Sequence, residues 1–289
     1  MQKEVLKVNC HLSLLMAAVL LLSILLAGCA SQQLHPSSLP VATVNIEKLS
    51  DDDIVWVKGM LEKLTPMLEA RRSQQTLATL TFDELYAPLT TDEQQFLRQF
   101  QNLNGSELGV KIPFRGMATG KEELVVLKGQ RVKDLEKGGT KEVPPQFLPK
   151  NVYLRYGDMM AAMQKDLGKR LYVESGYRSS AYQLYLFIFY LSNHLYSIRE
   201  TARFVALPGY SEHGSPQHQA IDFINEESLG EETAKEFDAQ PEFAWLIKNA
   251  AKFCFVMSYP KDGKEGITYE PWHWRQEQTL GPACKLSPP

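Results

Sequence analysis

The sequence has no excess of positive charge. Its 31 lysines and arginines stand against 34 aspartates and glutamates, leaving a formal charge of -3 and a pI near 6.1. Phosphate backbones and anionic lipid surfaces are held by clustered cations, so this balance argues against both, and no nucleic acid is expected as partner. No apolar run is long enough to cross a bilayer. The stretch from Leu12 to Leu26 has about 15 residues, where a spanning helix needs about 20. Internal repeats and low-complexity tracts are absent as well, so the chain is not a repeat array. Cysteine is scarce, with four in 289 residues. What remains is an ordinary globular composition, 44% hydrophobic and 22% charged, which can bury a full core in one or two domains.

The first residues have the pattern of an export signal. Lys3 and Lys7 precede the apolar stretch, and Ala27, Gly28 and Cys29 follow it directly. "LAGC" resembles the lipobox of bacterial lipoproteins. The resemblance implies that residues 1–28 are a signal peptide and that Cys29 becomes the lipidated first residue, held to the membrane by acyl chains. Ala30 and Ser31 stand where an aspartate would favour the inner membrane, so the implied location is the outer membrane, facing the periplasm. Cys254 and Cys284 are then the remaining cysteines, and an oxidising compartment would permit them to pair. Two buried thiols are the alternative.

Residues 29–45 read as a polar, proline-bearing tether. From 46 to 148 the chain reads as a mainly helical region. Ile54, Val57, Met60, Leu61 and Leu64 recur at helical spacing, and Thr90 with Glu93 forms a capping box. No catalytic signature falls there, which leaves packing, spacing from the membrane, or a protein partner as its role. "KIPFRG" and "ELVVLKGQRV" read as short strands and "EKGGTKEVPPQFLP" as a loop or linker, which sets the domain boundary. Residues 149–289 follow as a second domain: the helix "GDMMAAMQKDLGK", the strand "LYVESGY", a nearly all-apolar and therefore buried helix "AYQLYLFIFYLSNHL" capped by Ser179, the strand "QAIDFI", the helix "PEFAWLIKNAAK" and the strand "FCFVMSY". The expected fold class is α+β, a small antiparallel sheet with flanking helices.

Three stretches of this second domain gather polar chemistry between apolar elements: "SGYRSSAYQ", "PGYSEHGSPQHQAIDF" and "YEPWHWR". Of six histidines, three (His213, His218 and His273) lie in the latter two. A catalytic zinc needs three protein ligands and an open position, which two histidines and an aspartate provide. A nearby carboxylate that is not a ligand can take a proton as general base, and Glu270 is the candidate. Residues three apart in an extended strand face opposite ways, so Glu270 and His273 converge only if Pro271 bends the segment.

Together these stretches resemble D-alanyl-D-alanine carboxypeptidases of the VanY type, within the wider superfamily of lysostaphin, D-Ala-D-Ala peptidases and Hedgehog. The resemblance covers roughly Asn151 to Arg275. It implies one Zn2+ per chain held by His213, Asp222 and His273, with Glu270 as the base that activates the attacking water. Arg178 is implied to face the substrate, binding a carboxylate or steadying the oxyanion. Gln183 and Ser211 fall where relatives contact the peptide, and Trp272 and Trp274 would wall the site and position His273. The implied activity is trimming of peptidoglycan stem peptides between two D-alanines. An endopeptidase or dipeptidase of the same fold is the alternative, as is a non-catalytic lipoprotein that binds peptidoglycan. His213 and Asp222 are nine residues apart, about two more than the family pattern, which implies a bulge and leaves His218 as a competing ligand. Cys254 stands where a glycine is common.

Overall fold

The computed structural model describes residues 43–261, 269–281 and 284. The export-signal stretch, Cys29 and all but the end of the tether lie outside the described residues.

Helix α1 (Asp51–Ser73) starts in a capping box, Ser50 with Asp53, and buries Val57, Met60, Leu64 and Leu68 on one face. Thr81 and Glu84 cap α2 (Phe82–Tyr86) in the same way, and the expected Thr90 and Glu93 pair caps α3 (Thr91–Gln101). Two short hairpins follow. In the first, β1 (Leu124–Leu127) pairs antiparallel with β4 (Gln146–Pro149); in the second, β2 (Arg131–Lys133) pairs with β3 (Thr140–Glu142). "EKGGTKEVPPQFLP" is therefore not a linker, because it supplies β3 and β4. "KIPFRG" forms no strand and runs as extended coil against the second half of the chain. The last residue of β4 leads directly into α4 (Lys150–Leu167), which ends at Gly168 in the left-handed conformation, φ 68°.

Then come β5 (Tyr172–Ser175), α5 (Ser180–Tyr190), α6 (Ile198–Thr201), β6 (Ala220–Ile224), α7 (Ala234–Asp238), α8 (Pro241–Asn249), β7 (Phe255–Met257) and β8 (His273–Gln276). The four strands make one antiparallel sheet in the order β5-β6-β8-β7, so the α+β class holds. Helices α4 and α8 cover one face of it, where Tyr156, Met159, Val173, Phe223, Leu246 and Trp274 share a core.

Helix α5 belongs to a different core. Its Ala181, Leu184, Phe187 and Ile188 pack with Val57 and Leu64 of α1 and Phe96 and Phe100 of α3. This is why its sequence is apolar nearly all round: the 46–148 segment covers the side that would otherwise face water. Residues 40–289 form one compact unit.

Candidate active site

The centre of the site is set by strand register. Asp222 on β6 lies directly opposite His273 on β8 and opposite Ser175 on β5, where a register shift follows Val173. Facing residues of an antiparallel pair bring their side chains together on one face of the sheet. His273 Nδ1 thus lies 2.8 Å from Asp222 Oδ1. His213 arrives from a short 3-10 turn, Glu212–Gly214, and places Nε2 3.0 Å from Asp222 Oδ2. The ligand atoms of His213, Asp222 and His273 all lie within 4.8 Å of one another, and all three residues are buried.

The other ring nitrogens are already engaged. His213 Nδ1 is 2.8 Å from the Gly176 carbonyl, which only accepts, so Nδ1–H donates to it and Nε2 is the nitrogen turned toward Asp222. Gly176 must be glycine for this. A Cβ there would lie 2.4 Å from the Phe147 carbonyl oxygen. His273 Nε2 faces Glu212 Oε2 at 3.0 Å, leaving Nδ1 as its ligand atom. Two imidazoles fixed by bonds at their far nitrogens, with a carboxylate between them, are the donor set and support that zinc prefers.

The electrostatics agree. Burial alone would raise the Asp222 carboxyl, but His213 and His273 outweigh it and hold the group well below the usual carboxylate range. Burial disfavours the His273 cation, yet Asp222 and Glu212 overcome it and lift the imidazole to about 10. The pair of carboxylates thus stabilises positive charge here, which a dication would supply in place of the proton.

Glu270 sits beside this group, its Oε2 3.8 Å from His273 Nδ1. Burial, helped by Asp222, Glu231 and Glu212, raises its carboxyl to about 7 against the pull of His273. That is the range for a group that exchanges protons near neutrality, and a bound dication would draw it down again. The bend expected at Pro271 is present. His273 N–H donates to the Glu270 carbonyl at 3.2 Å, closing a turn, and Trp274 Nε1 donates to the Pro271 carbonyl at 2.8 Å. Trp272 lines the groove above the site, whereas Trp274 points to the opposite face of β8 and packs against Phe243. It holds the turn and does not wall the site.

Arg178 Nη1 donates to Gln183 Oε1 at 3.0 Å, and Gln183 Nε2 donates to the Ala206 carbonyl at 2.7 Å. Gln183 is 2% exposed. Both ends of its amide are therefore committed, and it supports Arg178 in the groove. Ser211 lines the same groove. His218 is not part of the cluster: it faces Glu277 at 3.7 Å. The extra length between His213 and Asp222 is taken up in a turn where the His218 N–H donates to Ser215 Oγ.

Glu212, inside the "SEH" triplet, has a part that sequence reading missed. It is 2% exposed and accepts from His273, from the Ser258 hydroxyl and from Arg115 Nη2 at 2.9 Å. Burial would raise its carboxyl, but His273, Ser258 and Arg275 bring it down to about 2, so it stays ionised. Arg115 belongs to "KIPFRG", and its own N–H donates to the Gly209 carbonyl. The first half of the chain thus buttresses the site.

A family model described as VanY, D-alanyl-D-alanine carboxypeptidase, matches residues 145–278. YodJ of Bacillus subtilis (strain 168), named as a carboxypeptidase, is 34% identical over 147 residues, 50% of this chain and 51% of its own. A D-alanyl-D-alanine carboxypeptidase of Enterococcus faecium is 31% identical over 45% of this chain and 37% of its own. The bifunctional D-Ala-D-Ala dipeptidase and carboxypeptidase VanXYC of Enterococcus gallinarum is 31% identical over 38% of this chain and 57% of its own. The chain spans between 37% and 57% of the length of these relatives. Among solved structures, the LdcB LD-carboxypeptidase aligns at 27% identity with a TM-score of 0.42, covering 52% of this chain and 67% of that one. By sequence, residues 145–278 of this chain match the VanY-type family of D-alanyl-D-alanine carboxypeptidases.

Proposed function

We propose that the chain is a zinc-dependent D,D-carboxypeptidase that removes the terminal D-alanine from peptidoglycan stem peptides. The observation that carries this reading is the His213, Asp222 and His273 cluster, with Glu270 at its edge and both outer imidazole nitrogens already bonded. His213 Nε2, Asp222 and His273 Nδ1 would hold one zinc ion. The ion supplies Lewis acidity and a water made acidic enough to react near neutral pH.

The side chains do the remainder. Glu270, beside His273, takes the proton of the attacking water and returns it to the departing amine. Arg178, fixed by Gln183, offers its guanidinium to the terminal carboxylate or to the oxyanion that forms on attack. Ser211 contributes a hydroxyl to the peptide in the groove. Glu212 and the Gly176 carbonyl keep the two imidazoles oriented.

The test is Glu270→Ala. The variant should keep its zinc and lose roughly 100-fold or more in turnover of a pentapeptide ending in D-Ala-D-Ala. Activity close to that of the parent would sink the assignment of the base. Zinc binding without release of D-alanine would point to an endopeptidase or dipeptidase acting on another bond. The same proposal places the protein on the periplasmic face of the outer membrane, anchored through acylated Cys29. Labelled fatty acid should enter the wild type and not Cys29→Ala.

A further inference from the structure

Beyond α5 the chain turns through a short 3-10 stretch, Leu191–His194, and then through Leu195 and Tyr196 at φ 54° and 58°. Two consecutive residues with side chains in the left-handed region are strained, and glycine would hold either place at less cost. The Tyr196 N–H, donated to the Leu191 carbonyl at 2.8 Å, fixes the turn. Leu195 is 79% exposed all the same. Its neighbours are exposed too. Phe189 and Tyr190, ring to ring at 5.4 Å, precede the turn. Phe204, 67% exposed, is brought to it by stacking on His194 at 4.7 Å. Single apolar side chains in water are ordinary, whereas a group of them marks a surface that meets something.

The described chain begins at this corner. The Leu49 N–H donates to the Tyr196 carbonyl and the Arg199 N–H to the Ile46 carbonyl, both at 3.0 Å, and Arg199 pairs with Glu47. Residues 46–49 therefore run along 196–199, next to Leu195. Cys29 precedes Thr43 by 14 residues, a length that covalent geometry limits to about 50 Å whatever its path. An acyl group on Cys29 thus holds a lipid surface within that reach of the corner, where even a weak contact gains from being intramolecular.

We propose that Phe189, Tyr190, Leu195 and Phe204 rest in the headgroup boundary of a lipid bilayer and fix how the anchored protein stands on it. Charge has no part in the contact: Arg199 and Arg203 are paired with Glu47 and Glu200, and the net charge is -3. Apolar and aromatic side chains settle roughly 5–10 Å into that boundary without needing anionic lipid, and a tyrosine there keeps its hydroxyl among the headgroups. The inference rests on the acylated Cys29 of the proposal above.

The experiment uses the acylated full chain in vesicles of phosphatidylcholine, part of it carrying nitroxide on its acyl chains as a quencher. An environment-sensitive fluorophore is placed on Leu195→Cys or, as control, on Lys137→Cys in the β2–β3 turn, whose Val132 packs with Ile224 in another core. With Cys29 acylated and Cys254 bonded to Cys284, the added thiol alone takes the label. The Leu195 label should be blue-shifted and quenched about two-fold or more beyond the control, at low and high salt alike, and Phe189→Ser with Phe204→Ser should remove the difference. Equal quenching at both positions would overturn the proposal. So would a blue shift without quenching, which means that protein, a second copy included, covers the corner. Flotation of the unlabelled chain with the vesicles reports on the anchor separately. A chain that does not float is attached to nickel-chelating lipid by a histidine tag ahead of residue 29, and the same two labels then decide.

Discussion

Glu212 lies at the meeting point of His273, Ser258 and Arg115, so on the proposed reading its removal should be felt at the zinc through His273 and not at the substrate. Glu212→Ala is expected to lower zinc affinity by about 10- to 100-fold, as loss of a ligand's outer partner does, with Glu212→Gln retaining part of the difference. Competition with a chromophoric chelator measures it. An unchanged affinity in both variants would remove Glu212 from the ligand's support. Gln183→Ala should instead free the Arg178 guanidinium, raising KM more than it lowers kcat. The grouping of His213, Asp222 and His273 could be anticipated because three of the six histidines fall in two short polar stretches, one of which also holds Asp222. Glu212 was not legible. It neighbours a ligand in sequence, and only the 3-10 turn at Glu212–Gly214 turns both side chains inward.

The elements carry their own tests. Glu84 caps α2 and pairs with Arg71; burial raises its carboxyl, but the bonds from Arg71 and Thr81 win and lower it to about 2. A group depressed in the folded state stabilises above its unfolded value, about 4.5, and that stability is lost as pH falls toward about 2. Glu84→Gln should therefore flatten the acid limb of a stability curve across that window, and an unchanged limb would contradict the pairing.

The bond between Cys254 and Cys284 closes a stretch of 30 residues, and reducing it should cost roughly 2 to 4 kcal/mol by loop entropy, read as a lower denaturation midpoint with reductant. Cys254 itself has φ 68°, a left-handed conformation that glycine adopts at less cost. Helical spacing of apolar residues made α1 readable from sequence, and a long apolar run behind the Ser179 cap made α5 readable. The pairing of β1 with β4 was not, because 18 intervening residues hide a non-local partner and "VPPQFLP" reads locally as a breaker.

Over the whole molecule, the first half is part of the fold of the second. Deleting residues 46–148 would uncover Leu184, Phe187 and Ile188, each 0% exposed, and remove Arg115 from Glu212. The remainder, although it contains the family segment, should be insoluble or molten, whereas a soluble, cooperatively unfolding remainder would contradict the shared core. Sequence reading placed no chemistry in the 46–148 region because its contribution is a single side chain at a distance, Arg115 at the ligand's support. No motif marks such a position. The proposed zinc site and its cleavage of a D-alanyl bond meet in one experiment: the zinc content of the purified full chain, measured beside D-alanine release from a pentapeptide with and without chelator. One zinc per chain with release abolished by chelator is the predicted result; no zinc, or release that chelator leaves untouched, would contradict the proposal.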